Sequence, residues 1–286
     1  MIDIVEGAFD LHVHSAPDLF PRIADDLRTI RDCACKGFAG VCLKNHFEGT
    51  TSRAQLAMQT IPGIKVYGGL VLNHYVGGIN PYAVQAALKL GASIIWMPTI
   101  DAACHRAVHG TGDFPAQSSG LESPKRGISI LKEGKLIEEA REIVALVKQR
   151  RAALATGHLS FDEIRALLAE ADSQGLRKII LTHPYDKAPG LTLEQVKQLA
   201  GPSVRIEFVF CSITPKWNFT DAATIAHCIK TIGPRHFVIS SDGGQAHNPM
   251  PADGYHQFIN ALHSEGIAED DFTLMCRENP HALLED

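Results

Sequence analysis

The run Phe9-Asp10-Leu11-His12-Val13-His14 alternates polar and apolar residues and ends on two histidines. Alternation of period two is the spacing of a β-strand, and it predicts Asp10, His12 and His14 on one face with Leu11 and Val13 on the other. Imidazoles two residues apart at a strand end can chelate one divalent ion. Without such a partner their nitrogens would need hydrogen bonds inside an apolar layer.

Seven further apolar runs follow at similar intervals: Gly40–Asn45, Ile64–Asn73, Ala92–Thr99, Ala152–His158, Lys178–His183, Val204–Cys211 and His236–Asp242. Their Val, Ile, Leu and Ala content predicts parallel strands covered by helices. Amphipathic stretches lie between them, near residues 24–36, 51–60, 81–90, 137–150, 161–174, 192–200, 219–232 and 254–265, with a last helix at about 269–284. Ser160 with Glu163, and Thr192 with Gln195, have the spacing of capping boxes. Eight strand–helix units in 286 residues predict an α/β fold, a single-domain (β/α)8 TIM-type barrel over residues 1–286. No GxGxxG follows the first strand, which removes the main support for a dinucleotide-binding sheet. The long polar segment at about 100–135 follows the fourth strand and is expected to form a lid-like insertion over the barrel mouth. Within it, 128–136 has the pattern of a hairpin turning at Glu133-Gly134.

Composition narrows the function. A net charge of -5 argues against nucleic acid as a partner, and no apolar run is long enough to span a membrane. The start lacks the basic and apolar blocks of a secretion signal, and the seven cysteines lack paired CxxC spacing. The expectation is a cytoplasmic protein with reduced thiols that acts on a small molecule, with homo-oligomerisation left open.

The other polar groups fall at matching places. His158 ends the fifth run, His183 the sixth and Asp242 the eighth, where barrel enzymes keep catalytic groups. Neutral imidazoles with a carboxylate suit zinc or a similar first-row ion. Lys44 and His46 at the end of the second run, His74 after the third and Arg22 after the first are candidate substrate contacts. Glu207 lies mid-strand, ~13 Å below the rim at ordinary strand rise. It reads as a buried structural carboxylate.

With His12-Val13-His14, His158, His183 and Asp242 in this strand order, the chain resembles the amidohydrolase superfamily of metal-dependent barrel hydrolases. The resemblance implies that His12, His14, His158 and Asp242 hold the metal and that His183 is a ligand or a partner of the attacking water. It also implies that Asp242 accepts the proton of that water. Trp96-Met97-Pro98-Thr99 stands where two-metal members carry a bridging Lys or Glu, so one divalent ion is expected, zinc first, with manganese or iron as alternatives. The implied activity is hydrolysis of an amide, lactone or ester bond in a small anionic substrate. Some members of the superfamily are decarboxylases or lyases, and the ligands alone do not separate these. A second resemblance, to the PHP phosphoesterases, rests on Asp10 to Ser15 and on Ser241-Asp242 with His247-Asn248-Pro249. It implies several metals and a role for His46, but the third run, Tyr67-Gly68-Gly69-Leu70, lacks that family's glutamate. A non-catalytic alternative is a barrel that binds a metabolite as a sensor.

Overall fold

The computed structural model describes residues 5–110, 119–122 and 126–285. Eight parallel strands form one sheet: β1 (Phe9–Val13), β2 (Gly40–Leu43), β3 (Lys65–Val71), β4 (Ile94–Trp96), β7 (Ala153–Ala155), β8 (Ile179–Leu181), β9 (Val204–Val209) and β10 (Phe237–Ser240). Their order in the sheet is their order in the chain, the topology of a (β/α)8 barrel. The helices that cover them are α1 (Asp26–Cys35), α2 (Thr51–Thr60), α3 (Pro81–Lys89), α5 (Glu138–Gln149), α6 (Phe161–Gln174), α7 (Leu193–Leu199), α8 (Ala222–Ile232) and α9 (Pro251–Ser264). The expected last helix is continuous from Glu269 to Leu284 but carries a π-turn at Leu274–Glu278 between α10 (Glu269–Thr273) and α11 (Asn279–Leu284).

The two end strands meet with few backbone bonds. Val13 bridges Gly243, His14 N donates to Gly243 O (2.8 Å), and the Asp10 carboxylate accepts from Ser241 N (2.9 Å). Asp10 therefore braces the seam of the barrel instead of sharing a face with the two histidines. The physical reason is a register shift between Asp10 and Val13 in the β1–β2 pairing, a bulge that re-aims the strand end. Leu11 joins the apolar cluster inside the barrel, and the His12 ring lies 6.3 Å from Trp96 of that cluster.

That inner cluster draws Phe9, Cys42, Val71, Ile94, Ala153, Ile180 and Val238 from seven strands, and Leu283 of α11 closes it from below. β9 contributes none of its apolar residues. Its inward position, paired with Val238, is Glu207. The larger cluster lies between the strands and the helices and holds residues such as Ile30, Val84, Val144, Leu167 and Phe258.

The segment after β4 is only partly a loop. It contains α4 (Ala103–His109) and the hairpin strands β5 (Leu131–Lys132) and β6 (Lys135–Leu136), which turn at Glu133 and Gly134 as the sequence predicts. Residues 111–118 and 123–125, including Lys125, lie outside the described residues, and with them much of the expected lid.

Both capping boxes form. Glu163 does more than cap α6. Its Oε1 also accepts from Ile130 N (3.1 Å) and Ser129 Oγ (2.6 Å), tying the hairpin to the helix that follows His158. Ser160→Ala removes one side of this cap and is expected to lower unfolding free energy by ~1 kcal/mol. Urea denaturation followed by circular dichroism measures it. An unchanged midpoint would show that Glu163 holds the helix start without the serine.

Among the described residues no helix is long and apolar enough to cross a membrane, and all seven cysteines are free.

Candidate metal centre

The strands end earlier than the apolar runs do, and the polar groups sit on the first residues past them. His14 follows β1, Lys44 follows β2, and Asp242 lies two residues beyond β10. His183 and Asp242 have positive φ, 20° and 43°. Such backbone is costly for residues other than glycine and collects at functional sites. Gly244 serves the same turn. Its φ is +117°, and a Cβ there would stand 1.7 Å from the carbonyl oxygen of His14.

His12, His14 and Asp242 bring one ligand atom each to within 4.8 Å of one another, the only such His/Cys/Asp/Glu group among the described residues. Asp242 Oδ1 is 3.1 Å from His12 Nε2 and 3.2 Å from His14 Nε2. Burial pushes the His12 imidazole down to about 3 and those of His14, His46 and His158 well below the usual histidine range. Neutral rings beside a carboxylate are the donor set for a divalent ion. A cation already stands there: Lys44 Nζ is 2.8 Å from His12 Nε2. On these observations the residues fit a metal ion.

His158 and His183 line the same pocket without joining the tight triangle. Their rings are 5.0 Å apart, and His183 stacks 5.9 Å from His12. His183 Nδ1 faces Asp186 Oδ2 at 3.3 Å, and Ser212 Oγ donates to the other Asp186 oxygen. Burial lowers the His183 pKa, with Asp186 opposing, and raises that of Asp186 to about 6. His158 Nδ1 is 2.8 Å from Nδ1 of His105, on α4.

The pocket encloses about 50 Å³, with Trp217 and Phe219 on its wall and Arg22 and Lys44 among its lining residues. Lys44 is buried, its ammonium 5.6 Å from the Trp96 ring. Burial lowers its pKa to about 8, with Asp242 and Glu207 opposing. Arg22 is held by Asp18 (Nε to Oδ2, 2.8 Å) and reaches His14 Nδ1 at 3.1 Å. His46 stacks on His14 at 4.9 Å, its Nδ1 2.9 Å from Thr99 Oγ1.

Three readings of the sequence change. His74 does not reach the pocket. Its backbone N–H donates to Asp101 Oδ2 and its Nε2 lies 2.9 Å from the carbonyl of Arg126, because the chain turns away in a 3-10 turn directly after β3. Glu207 is buried and paired, but its partner is His12: Oε2 is 3.3 Å from Nδ1. Strand rise sets the depth of the Glu207 backbone, whereas its side chain reaches the His12 ring. His247, which a phosphoesterase would direct to metal, instead lies 3.3 Å from Lys216 Nζ and 6.1 Å from the Trp217 ring. His105, Asp186 and Asp18 had no reading as site residues. His105 and His109 share one face of α4 at the i, i+4 spacing, a signal present in the sequence.

The family model described as "Family of unknown function (DUF6282)" matches residues 7–207. No curated protein matches the chain. Among solved structures it is similar to an amidohydrolase from Pseudomonas aeruginosa, with 13% identity, 99% of this chain and 97% of that one covered, and a TM-score of 0.67. It is also similar to a protein assigned as a 2-pyrone-4,6-dicarboxylic acid hydrolase from Pseudomonas putida (15% identity, 97% of each chain, TM-score 0.60). A third is 2,6-dihydroxybenzoate decarboxylase from Rhizobium (15% identity, 98% of this chain and 99% of that one, TM-score 0.56). At these identities the likeness carries the barrel fold.

Proposed function

The chain belongs to the DUF6282 family, and from the geometry of its site we propose that it is a metal-dependent hydrolase of a small, carboxylate-bearing substrate. The observation that carries this reading is the convergence of His12 Nε2 and His14 Nε2 on Asp242 Oδ1, at 3.1 and 3.2 Å, in a pocket that also holds two buried cations. His12, His14 and Asp242 would hold one divalent ion, zinc first among the candidates, with His158 and His183 beside it. A divalent ion held there supplies Lewis acidity to the substrate carbonyl and makes water easier to deprotonate.

The remaining steps fall to the protein. Asp242 accepts the proton of the attacking water. Asp242 then returns that proton to the leaving group, with His183, its Nδ1 3.3 Å from Asp186 Oδ2, beside it in the pocket. Arg22 and Lys44 receive the substrate carboxylate, Arg22 through guanidinium donors not committed to Asp18. Trp217 and Phe219 favour a planar ring against the wall. The Pseudomonas putida and Rhizobium proteins are named for carboxylated rings, which supports this substrate class.

Decarboxylation is the second reading. It is favoured by the same two cations, which would hold a carboxylate directly beside the triangle. Elemental mass spectrometry of protein purified without chelator tests the metal, with close to one equivalent per chain expected. A panel of lactones, esters, amides and aromatic carboxylates tests the chemistry. Acid release without CO₂ supports the hydrolase, and CO₂ release moves the assignment to the decarboxylase. Absence of metal after reconstitution with zinc, manganese and iron would remove both.

A further inference from the structure

We infer that Lys44 and the metal compete for one lone pair of His12, so that metal uptake moves the Lys44 ammonium off His12 and into the substrate pocket. The inference rests on the metal site proposed above and adds a switch within it.

The two nitrogens of His12 have different partners. Nδ1 faces the carboxylate of Glu207 at 3.3 Å. A carboxylate only accepts, so Nδ1 carries the ring proton. The neutral ring then offers a single lone pair, on Nε2. Lys44 Nζ stands 2.8 Å from that nitrogen. An ammonium has three donors and no acceptor, so this contact is a hydrogen bond from Lys44 into the lone pair. A divalent ion needs the same lone pair, at a bond length of about 2.0–2.1 Å for zinc. Both cannot hold it at once.

The surroundings determine where the ammonium goes. The Lys44 backbone is fixed at the end of β2, where its N–H donates to Val13 O at 2.8 Å. The indole of Trp96, 5.6 Å from Nζ, belongs to the closed apolar cluster below. The open direction is the pocket that Lys44 already lines together with Arg22 and Asp242. Metal binding therefore delivers a cation to the place where the substrate anion arrives. By linkage, an anion that keeps Lys44 in the pocket strengthens metal binding, and metal strengthens anion binding by the same factor.

The test is zinc affinity, measured by competition with a chromophoric chelator. Lys44→Met and Lys44→Leu both remove the competing donor, and circular dichroism establishes which variants fold. Either folded variant is expected to bind zinc about tenfold more tightly than the wild type. Equal or weaker binding in the variants overturns the switch and leaves the metal site standing, whereas no zinc binding in any of the proteins removes the metal site as well. A second measurement needs no substitution. Acylation of Lys44 in the wild type by an amine-reactive ester, read by peptide mass spectrometry, should rise severalfold on zinc loading. Equal labelling with and without zinc would overturn the displacement.

Discussion

Asp242→Asn should lower kcat on the substrate found in the panel by ~10²–10⁴-fold, the range for loss of a general base. The barrel should stay folded, because the change is isosteric and the backbone of Asp242, not its carboxylate, takes the bond from Gln245 (Nε2 to O, 2.6 Å). Asp242 Oδ1 touches both His12 and His14, so the substitution also weakens the metal site. The two effects separate experimentally. Zinc added to saturation restores occupancy, and the amide still cannot take a proton from water. Turnover that returns to the wild-type level at saturating zinc would assign Asp242 a ligand role only and pass the base role to His183. Turnover that stays low at full occupancy supports the assignment made above.

The barrel was readable because most of its eight strands are buried on both faces and announce themselves as apolar runs, with β1 and β9 broken by Asp10 and His12 and by Arg205 and Glu207. The limits of the strands were not. The run at Ala92–Thr99 is strand only over Ile94–Trp96, and that at Ala152–His158 only over Ala153–Ala155. Residues beyond the strand ends, such as Met97, Thr99, Thr156 and His158, stay buried too, so burial overstates the length of the strand. His14, His158, His183 and Asp242 were legible for the complementary reason: a polar group at the close of an apolar run has no bland partner. Asp10 misled, since a bulge breaks the alternation that placed it with the histidines. His74 misled because closeness to a strand end says nothing about which way the next turn goes. His105 was hidden by its setting. α4 has seven residues and an N-cap, Ala102, that makes no side-chain bond, so a short helix reads as polar loop.

Glu207→Gln should weaken zinc binding about 10- to 100-fold, the usual cost of losing the carboxylate behind a metal-bound imidazole. Glu207 faces Nδ1 of His12, fixes the proton there and leaves Nε2 free to act as a ligand. A glutamine fills the same space but offers either an oxygen or an NH₂ group. Where the NH₂ faces Nδ1, the imidazole proton shifts to Nε2 and the ligand is lost. Burial raises the pKa of Glu207, with His183, a hydrogen bond from Ser240 and Lys44 opposing. If Glu207 acts through His12, the double variant His12→Ala/Glu207→Gln should bind zinc no more weakly than His12→Ala alone. Additive losses would mean that Glu207 acts by another route, such as a general loosening of the barrel interior. Unchanged affinity in Glu207→Gln would return it to the structural role that its depth in the strand suggested. The cycle therefore decides whether the charged residue inside an otherwise apolar barrel belongs to the core or to the chemistry above it.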